Sequence, residues 1–398
     1  MTLVLYDDAQ ARATEPFALT RPFGEVRAGG LLIRERWERV ADEAATGVVG
    51  AAHLAKFEEA GAPAPVSARL APGTLLVNSR FCPALGAALP RLAMGGALVS
   101  NGQVVAVALE RPVDASALAA GDVKLDSFAT RTSGEAAGWW VDETWDIVRL
   151  LPEMLVADAA VLATTIPDEP PAHVAVLGAH RLAAARGSYF EPHVVVDTTA
   201  GDVVVAAGAR IGAFTRLAGP IVIGEGVLVH GGRISCCSIG AHSRIAGEMS
   251  VTVMLGQANK AHDGFVGHSM IGRWANLGAG TTTSNLKNNY GPVRVETARG
   301  EHDTGMQFLG ALIGDHAKTA IGTRLMTGTI VGPGANVFGD RSPDKRVPPF
   351  AWGDRAPFAS YELDKFLAVA ALVMKRRDAV LSAGMRDALT AAWQAAQR

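Results

Sequence analysis

The chain is predicted to join an N-terminal α/β domain to a parallel β-helix with C-terminal capping helices, and two observations predict it. First, from about Val205 to Val337 short units recur every six residues, as in Val205-Ala-Ala-Gly, Ile211-Gly-Ala-Phe, Leu217-Ala-Gly-Pro and Ile223-Gly-Glu-Gly. After a slip the phase resumes at Ile239-Gly-Ala-His and Ile245-Ala-Gly-Glu. It returns at Ile271-Gly-Arg-Trp, Leu277-Gly-Ala-Gly, Ile313-Gly-Asp-His and Ile321-Gly-Thr-Arg. A branched apolar residue followed by Gly or Ala at this period marks a solenoid. The aliphatic side chain enters a narrow core, and the small residue lets the chain turn a corner. Second, strand-like and helix-like segments alternate over residues 1–175, as in α/β domains. The expected boundaries are 1–175, 176–340 and 341–398.

In chain order, Thr2–Tyr6, Gly47–Ala51 and Thr74–Asn78 read as short buried strands. Ile33–Ala45 reads as a helix with Ile33, Trp37 and Val40 on its apolar side. Asn101-Gly102 between the apolar arms starting at Ala97 and Gln103 marks a β-hairpin. Trp145-Asp-Ile-Val-Arg-Leu-Leu-Pro opens another helix. Pro167–Ala172 is a proline-rich linker, and Glu191–Asp197 an extended lead-in to the coils. Tyr361–Val380 reads as an amphipathic helix with Leu363, Phe366, Leu367, Ala370, Val373 and Met374 on one face. Such a helix is expected to cover the open end of the coil, which would otherwise be an exposed sheet edge. A last helix, Met385–Gln397, is expected to do the same.

Composition narrows the function classes. Hydrophobic residues make up 49% and charged residues 19% of the 398, which is globular. A formal net charge of −2 points to neither nucleic acid nor an anionic membrane as partner. The longest apolar runs, such as Phe366–Met374, are too short to cross a bilayer. Cys82, Cys236 and Cys237 form no CxxC pair and no even disulfide framework, which suits a reducing cytoplasm. The opening Leu3-Val-Leu-Tyr-Asp-Asp is expected to be a strand rather than a signal peptide.

No GxGxxG or Walker sequence accompanies the first strand. In its place stand Asp7-Asp8-Ala-Gln-Ala-Arg12, Leu19-Thr-Arg21-Pro and Arg27-Ala-Gly-Gly. Arg12, Arg21 and Arg27 suit bidentate hydrogen bonds to phosphate, and equally a solvated, salt-bridged surface. Farther on, two polar stretches, Leu255–Ser269 and Thr281–Met306, interrupt the repeat. Loops projecting from a rigid coil are where chemistry tends to be placed.

Lys260-Ala-His262, a loop, and then Ile271-Gly-Arg-Trp-Ala-Asn276-Leu-Gly-Ala279-Gly-Thr-Thr-Thr-Ser-Asn285 resembles the acetyltransferase half of the GlmU family. Those bifunctional enzymes join glucosamine-1-phosphate acetyltransferase to N-acetylglucosamine-1-phosphate uridyltransferase. The likeness is strongest over about residues 240–340. Asp7-Asp8, Leu19-Thr-Arg-Pro, Trp145-Asp-Ile, Asn285-Leu-Lys-Asn-Asn-Tyr-Gly and Phe350-Ala-Trp-Gly resemble a divergent branch with an atypical nucleotidyltransferase-like N-terminal domain.

The resemblance implies a left-handed coil, a homotrimer with shared active sites, and acetyl transfer from acetyl-CoA to an amino-sugar 1-phosphate, followed by nucleotidyl transfer from UTP or another NTP. It makes His262 the general base, a role that suits imidazole because its ordinary pKa lies near working pH. It makes Asn276 and Asn285 sugar-binding residues, and Ala279 a small residue beside the acetyl group. Lys260, Lys287, Arg294 and Arg324 become candidate phosphate or CoA contacts. In the N-terminal half it implies Mg²⁺, for which Asp7, Asp8 or Asp146 would have to serve, with Arg12, Arg21 and Arg27 sharing the neutralisation of phosphate charge. Asp7 and Asp8 equally shape a turn.

The chain departs from the family pattern in several places. Ser250 stands where the family carries a phosphate-binding Lys, and Phe265 and Leu286 each replace a Tyr. At the strand end Val77-Asn78-Ser79-Arg80, an Arg stands where a metal-binding acid is expected. Two further readings stay open. One is an acyltransferase with a degenerate N-terminal domain. The other is a trimeric zinc enzyme of the γ-carbonic-anhydrase kind, using histidines among His230, His242, His262 and His268.

Overall fold

The computed structural model describes residues 2–166 and 171–397, so most of the expected Pro167–Ala172 linker lies outside the described residues. The chain divides into two compact units, residues 1–143 with 381–398, and residues 144–380. This differs from the expected division at both ends, and each shift has a packing cause within its own unit.

The first unit is built on a six-stranded mixed sheet of described residues. Its order is Arg131–Glu135, Gly96–Ser100, Gln103–Ala108, Leu75–Asn78, Leu3–Tyr6 and Ala45–Val49. The first strand is buried on both faces, which is why Leu3-Val-Leu-Tyr reads as a continuous apolar run. It pairs in parallel with Ala45–Val49 on one side and Leu75–Asn78 on the other. The expected hairpin forms, with Asn101 at φ 51° and Gly102 at φ 74°, the paired left-handed residues of a tight two-residue turn. The helix Ile33–Ala41 stops short of the expected Ala45 because Asp42 turns left-handed at φ 51°. The last helix, Ala383–Ala396, belongs to this unit. Ser382 caps it by accepting from Met385 N at 3.1 Å, and Ser382 Oγ and Gly384 N donate to Glu58 at 2.7 and 3.2 Å.

The second unit is the parallel β-solenoid. Among the described residues, one face is a nine-stranded sheet running from Leu182–Ala184 through Val203–Val205 and Ile221–Ile223 to Arg346–Val347. Phe190, Ile211, Val229, Ile245, Ile271, Leu277, Ile313 and Val337 fill its axis. The helix Thr144–Ala163 packs on Val203–Val205 and Ile221–Ile223, where Val204 and Val222 are buried. Ile147, Leu151, Met154 and Leu155 are buried on that helix, each side chain contributing about 1.5–3 kcal/mol. The helix therefore covers an apolar patch of the solenoid, which is why it groups with residues after it in sequence.

One corner of the solenoid is a column of left-handed residues two positions before each strand start. It begins with Gly208 and Gly226 and continues with His242, Gln257, Trp274, His316, Gly334 and Phe350. Where glycine gives way, the aromatic residues receive the helix Leu363–Lys375. Phe366 meets Phe350, His316 and Tyr361 at ring separations of 5.0–5.8 Å. Farther along, Arg377 Nη1 donates to His242 O at 2.6 Å. Phe366 to Arg377 spans about 16 Å of helix, and the coils from His316 back to His242 span about 14 Å. The helix thus lies along the corner instead of across the coil end. Its buried residues are Phe366, Leu367, Ala370 and Met374. No described helix is long and apolar enough to cross a membrane.

The stretch Leu255–Ser269 is not an interruption. Met254, Lys260 and Val266 stand six apart, all inward, and Asn259–Lys260 and Phe265–Gly267 pair in register with Arg244–Ser250. The second stretch is a true excursion, carrying the antiparallel hairpin Arg294–Thr297/Gly300–Asp303 before the coil resumes at Ala311–Ile313.

Candidate active sites

In the first unit the chain leaves the central strand Leu3–Tyr6 first toward one neighbour and later toward the other. Both flanking strands run parallel to it. That is a topological switch point, and a crevice is expected outside the carboxyl ends of the strands. A cavity of about 610 Å³ lies there, lined among others by Asp8, Asn78, Arg80, Lys124 and Trp140.

Asp8 starts the short helix Ala9–Arg12, accepting from Ala11 N at 2.9 Å. Arg80 Nη2 donates to Asp8 Oδ2 at 2.8 Å, Arg80 Nε to Asp8 Oδ1 at 2.9 Å, and Asn78 Nδ2 to Asp8 at 3.0 Å. The Arg80 guanidinium also pairs with Asp142 and lies over the Trp140 ring at 5.0 Å. Burial raises the Asp8 pKa, but the hydrogen bonds and charge of Arg80 more than offset it and hold the carboxyl below its ordinary value.

The other predicted groups of this unit lie elsewhere. Asp7 is buried, accepts from Phe23 N at 3.0 Å, and is pushed up to about 6 by burial. Arg12 Nε donates to Asp7 O at 2.7 Å and Nη2 to Leu118 O at 3.0 Å. Arg21 is buried in an ion pair with Glu59 at 3.0 Å, and Arg27 is buried and donates to Gly30 O. These arginines form neither a phosphate loop nor a solvated surface. They staple the segments after the first strand, whose backbone carbonyls and acids need internal donors. Asp146 belongs to the second unit, ion-paired to Arg149 at 2.7 Å. Among the described residues no group of three or more His, Cys, Asp or Glu could hold a metal. Arg80 neutralises Asp8 and Asp7 accepts from Phe23 N, so these residues do not by themselves form the expected Mg²⁺ site, and the described histidines form no metal-holding group within one chain.

In the second unit, His262 is exposed at the corner between Asn259–Lys260 and Phe265–Gly267. Ala279 occupies the same corner one turn on, and Gly280 N donates to Asp263 O at 3.0 Å between the two turns. Asn276 faces outward from the adjoining face and accepts from Asn259 Nδ2 at 2.9 Å. Lys260 lies in the interior of the coil. Strand alternation turns it inward in register with Ile245, 1% exposed. Its Nζ donates to Ala246 O at 3.2 Å and to His262 O, and burial pushes its pKa down to about 8. Lys260 thereby ties down the corner that carries His262.

Asn285 stands at a different corner. Its Nδ2 donates to His268 Nδ1 at 2.9 Å, and His268 stacks on Phe308 at 5.2 Å. Burial holds the His268 pKa below its ordinary value, so the ring is neutral near pH 7. Lys287 Nζ donates to Pro292 O at 3.1 Å within its own loop, and Arg324 is exposed beside Thr282. Arg294 pairs with Glu301 at 2.9 Å on the excursion hairpin. One chain therefore brings together His262, Asn276 and Ala279, and separately Asn285 and His268. The partnership of His268 with Asn285 was not anticipated from the sequence, since it joins two corner residues from successive turns.

Comparison with known proteins follows this division. Residues 3–165 match a family described as sugar nucleotidyl transferase. The uncharacterized acetyltransferase YaiX of Escherichia coli O6:K15:H31 is 30% identical over 144 residues, covering 35% of this chain and 63% of the relative. A bifunctional sugar-1-phosphate nucleotidylyltransferase/acetyltransferase of Sulfurisphaera tokodaii is 31% identical over 91 residues, 23% of each chain. The bifunctional protein GlmU of Methanococcus maripaludis (strain C7) is 35% identical over 85 residues, 21% of this chain and 20% of the relative. The chain thus spans under two thirds of YaiX and about a quarter or less of the other two. It carries a sugar nucleotidyl transferase domain over residues 3–165 and is a distant relative of GlmU-like bifunctional proteins and of the YaiX acetyltransferase.

Proposed function

We propose that the chain is a bifunctional nucleotide-sugar enzyme. At the solenoid, the amine of an amino-sugar 1-phosphate of the glucosamine-1-phosphate type attacks the thioester carbon of acetyl-CoA. His262 takes the amine proton, the C–S bond breaks, and CoA leaves as the thiol. The N-acetyl sugar 1-phosphate then attacks the α-phosphorus of UTP or another NTP at the first unit, and pyrophosphate leaves. The observation that carries the reading is the pairing of a switch-point cavity, inside the segment that matches sugar nucleotidyl transferases, with an exposed His262 beside Asn276 and Ala279. Arg80 binds phosphate by exchanging its half-exposed partner Asp142 while keeping the less exposed Asp8. Because His262 and Asn285 stand at different corners of one chain, the reading places the acetyl-transfer site between copies of a homotrimer. The free cysteines suit a cytoplasmic enzyme.

One observation favours a second reading, an acyltransferase whose first unit has lost catalysis. Arg80 occupies the strand end where an acid is expected, clamped by Asp8 and Asp142. One assay separates the two. The protein is incubated with acetyl-CoA, glucosamine-1-phosphate and UTP in buffer containing Mg²⁺, and thiol and pyrophosphate release are followed. Both products from wild type, both lost in His262→Ala, with pyrophosphate release restored in that variant by supplied N-acetylglucosamine-1-phosphate, establish the bifunctional enzyme. Thiol without pyrophosphate establishes the second reading for these substrates, and absence of both refutes the assigned substrates.

A further inference from the structure

Between the outer face of the coils and the C-terminal end of the helix Leu363–Lys375 lies a pocket of about 420 Å³. Arg244, Asn259, Asn276 and Lys318 line it from the coils, and Arg376 and Arg377 from the helix end. Strand alternation puts Arg244, Asn259, Asn276 and Lys318 on the outer side of four successive turns, paired in register. No carboxylate lines the pocket, and none of its four cations forms an ion pair with an acid among the described residues. Two of them donate to backbone carbonyls, Lys318 Nζ to His316 O at 3.2 Å and Arg377 Nη1 to His242 O.

This is unlike Arg21, Arg34 and Arg80, which sit on acids. Four cations held together without a counter-ion repel one another. The repulsion and burial register in the side chains themselves. Burial pushes Lys318 down to about 8, and burial with the charges of Arg244 and Arg376 lowers Arg377. A planar guanidinium fork matches phosphate oxygens two at a time, and the amides of Asn259 and Asn276 add neutral donors suited to hydroxyls.

We infer that this pocket binds the phosphate or diphosphate group of a small ligand, through Arg244, Lys318, Arg376 and Arg377, with Asn259 and Asn276 beside it. The pocket is too small and enclosed for a nucleic-acid duplex. Within the acetyl-transfer reading, two sources carry such a group: the acceptor sugar 1-phosphate and CoA. Only the ligand's identity rests on that reading; phosphate binding does not.

The test is calorimetric titration of the full chain with inorganic pyrophosphate, glucosamine-1-phosphate, CoA and dephospho-CoA, comparing wild type with the double variant Arg244→Gln/Arg376→Gln and with Lys318→Met. Unchanged melting temperatures report intact folding. The proposal expects the double variant to weaken pyrophosphate and at least one of the other ligands tenfold or more, with a shallower dependence on salt. It expects Lys318→Met to weaken the same ligand. Loss for glucosamine-1-phosphate identifies the acceptor. Loss for CoA identifies the acetyl donor, and an unaffected dephospho-CoA assigns the pocket to the 3′-phosphate. If wild type binds none of the four, or if every affinity survives both variants, the proposal is wrong. Failure of acetyl transfer with these binding losses intact would refute the transfer reading alone.

Discussion

Two groups of arginines, one in each unit, make opposite uses of the same side chain. In the first unit Arg21, Arg34 and Arg80 are buried against Glu59, Glu25 and Asp8. Around the solenoid pocket Arg244, Arg376 and Arg377 face one another and no acid. A guanidinium whose charge is answered inside the chain is part of the fold. One left unanswered in a concave, polar place is available to a ligand. The difference is invisible in composition, since both groups sit in a chain of net charge −2.

The largest effect that would sharpen this comparison is catalytic. His262→Ala is expected to lower thiol release by about 10²–10⁴-fold, the usual span for a lost general base, while pyrophosphate release from supplied N-acetylglucosamine-1-phosphate and UTP continues. Next comes stability. Arg21→Met removes the buried guanidinium that pairs with Glu59 and is expected to destabilise by about 3–5 kcal/mol, read as a lowered urea midpoint. Arg376→Gln is expected to stay within about 0.5 kcal/mol of wild type. Equal losses in the two variants would break the comparison.

Smaller effects lie in pH dependence. Lys260 falls from an ordinary 10.5 to about 8 in the fold, so between those values the unfolded chain holds more protons and stability rises with pH. Any advantage of Lys260→Met over wild type should therefore shrink from pH 8 to pH 10.5 in paired melting curves, and a constant gap would show that Lys260 is not buried. Asp7 has the opposite sign. It rises from 3.8 to about 6, so between these values the folded chain holds more protons and stability falls as pH rises. Relative to wild type, Asp7→Asn should gain stability from about pH 4 to pH 6 and hold it above, measured by urea midpoints across that range.

The sequence alone determined whatever depends on local period and turn chemistry. The six-residue repeat specified the solenoid, because each inward aliphatic residue and each small corner residue acts within its own turn. Asn101-Gly102 specified the hairpin in the same local way. Met254, Lys260 and Val266 keep the six-residue phase, which already turns Lys260 inward and makes Leu255–Ser269 a regular coil. The placement of charge belonged to tertiary structure. Nothing near Arg12 or Arg21 in sequence announces Leu118 or Glu59 as partners, and nothing near Asp8 announces Arg80. Whether a charged side chain staples the fold or waits for a ligand depends on which distant segments the fold sets opposite it. At Arg244 and Arg377, residues far apart in the chain, the fold supplies only further positive charge.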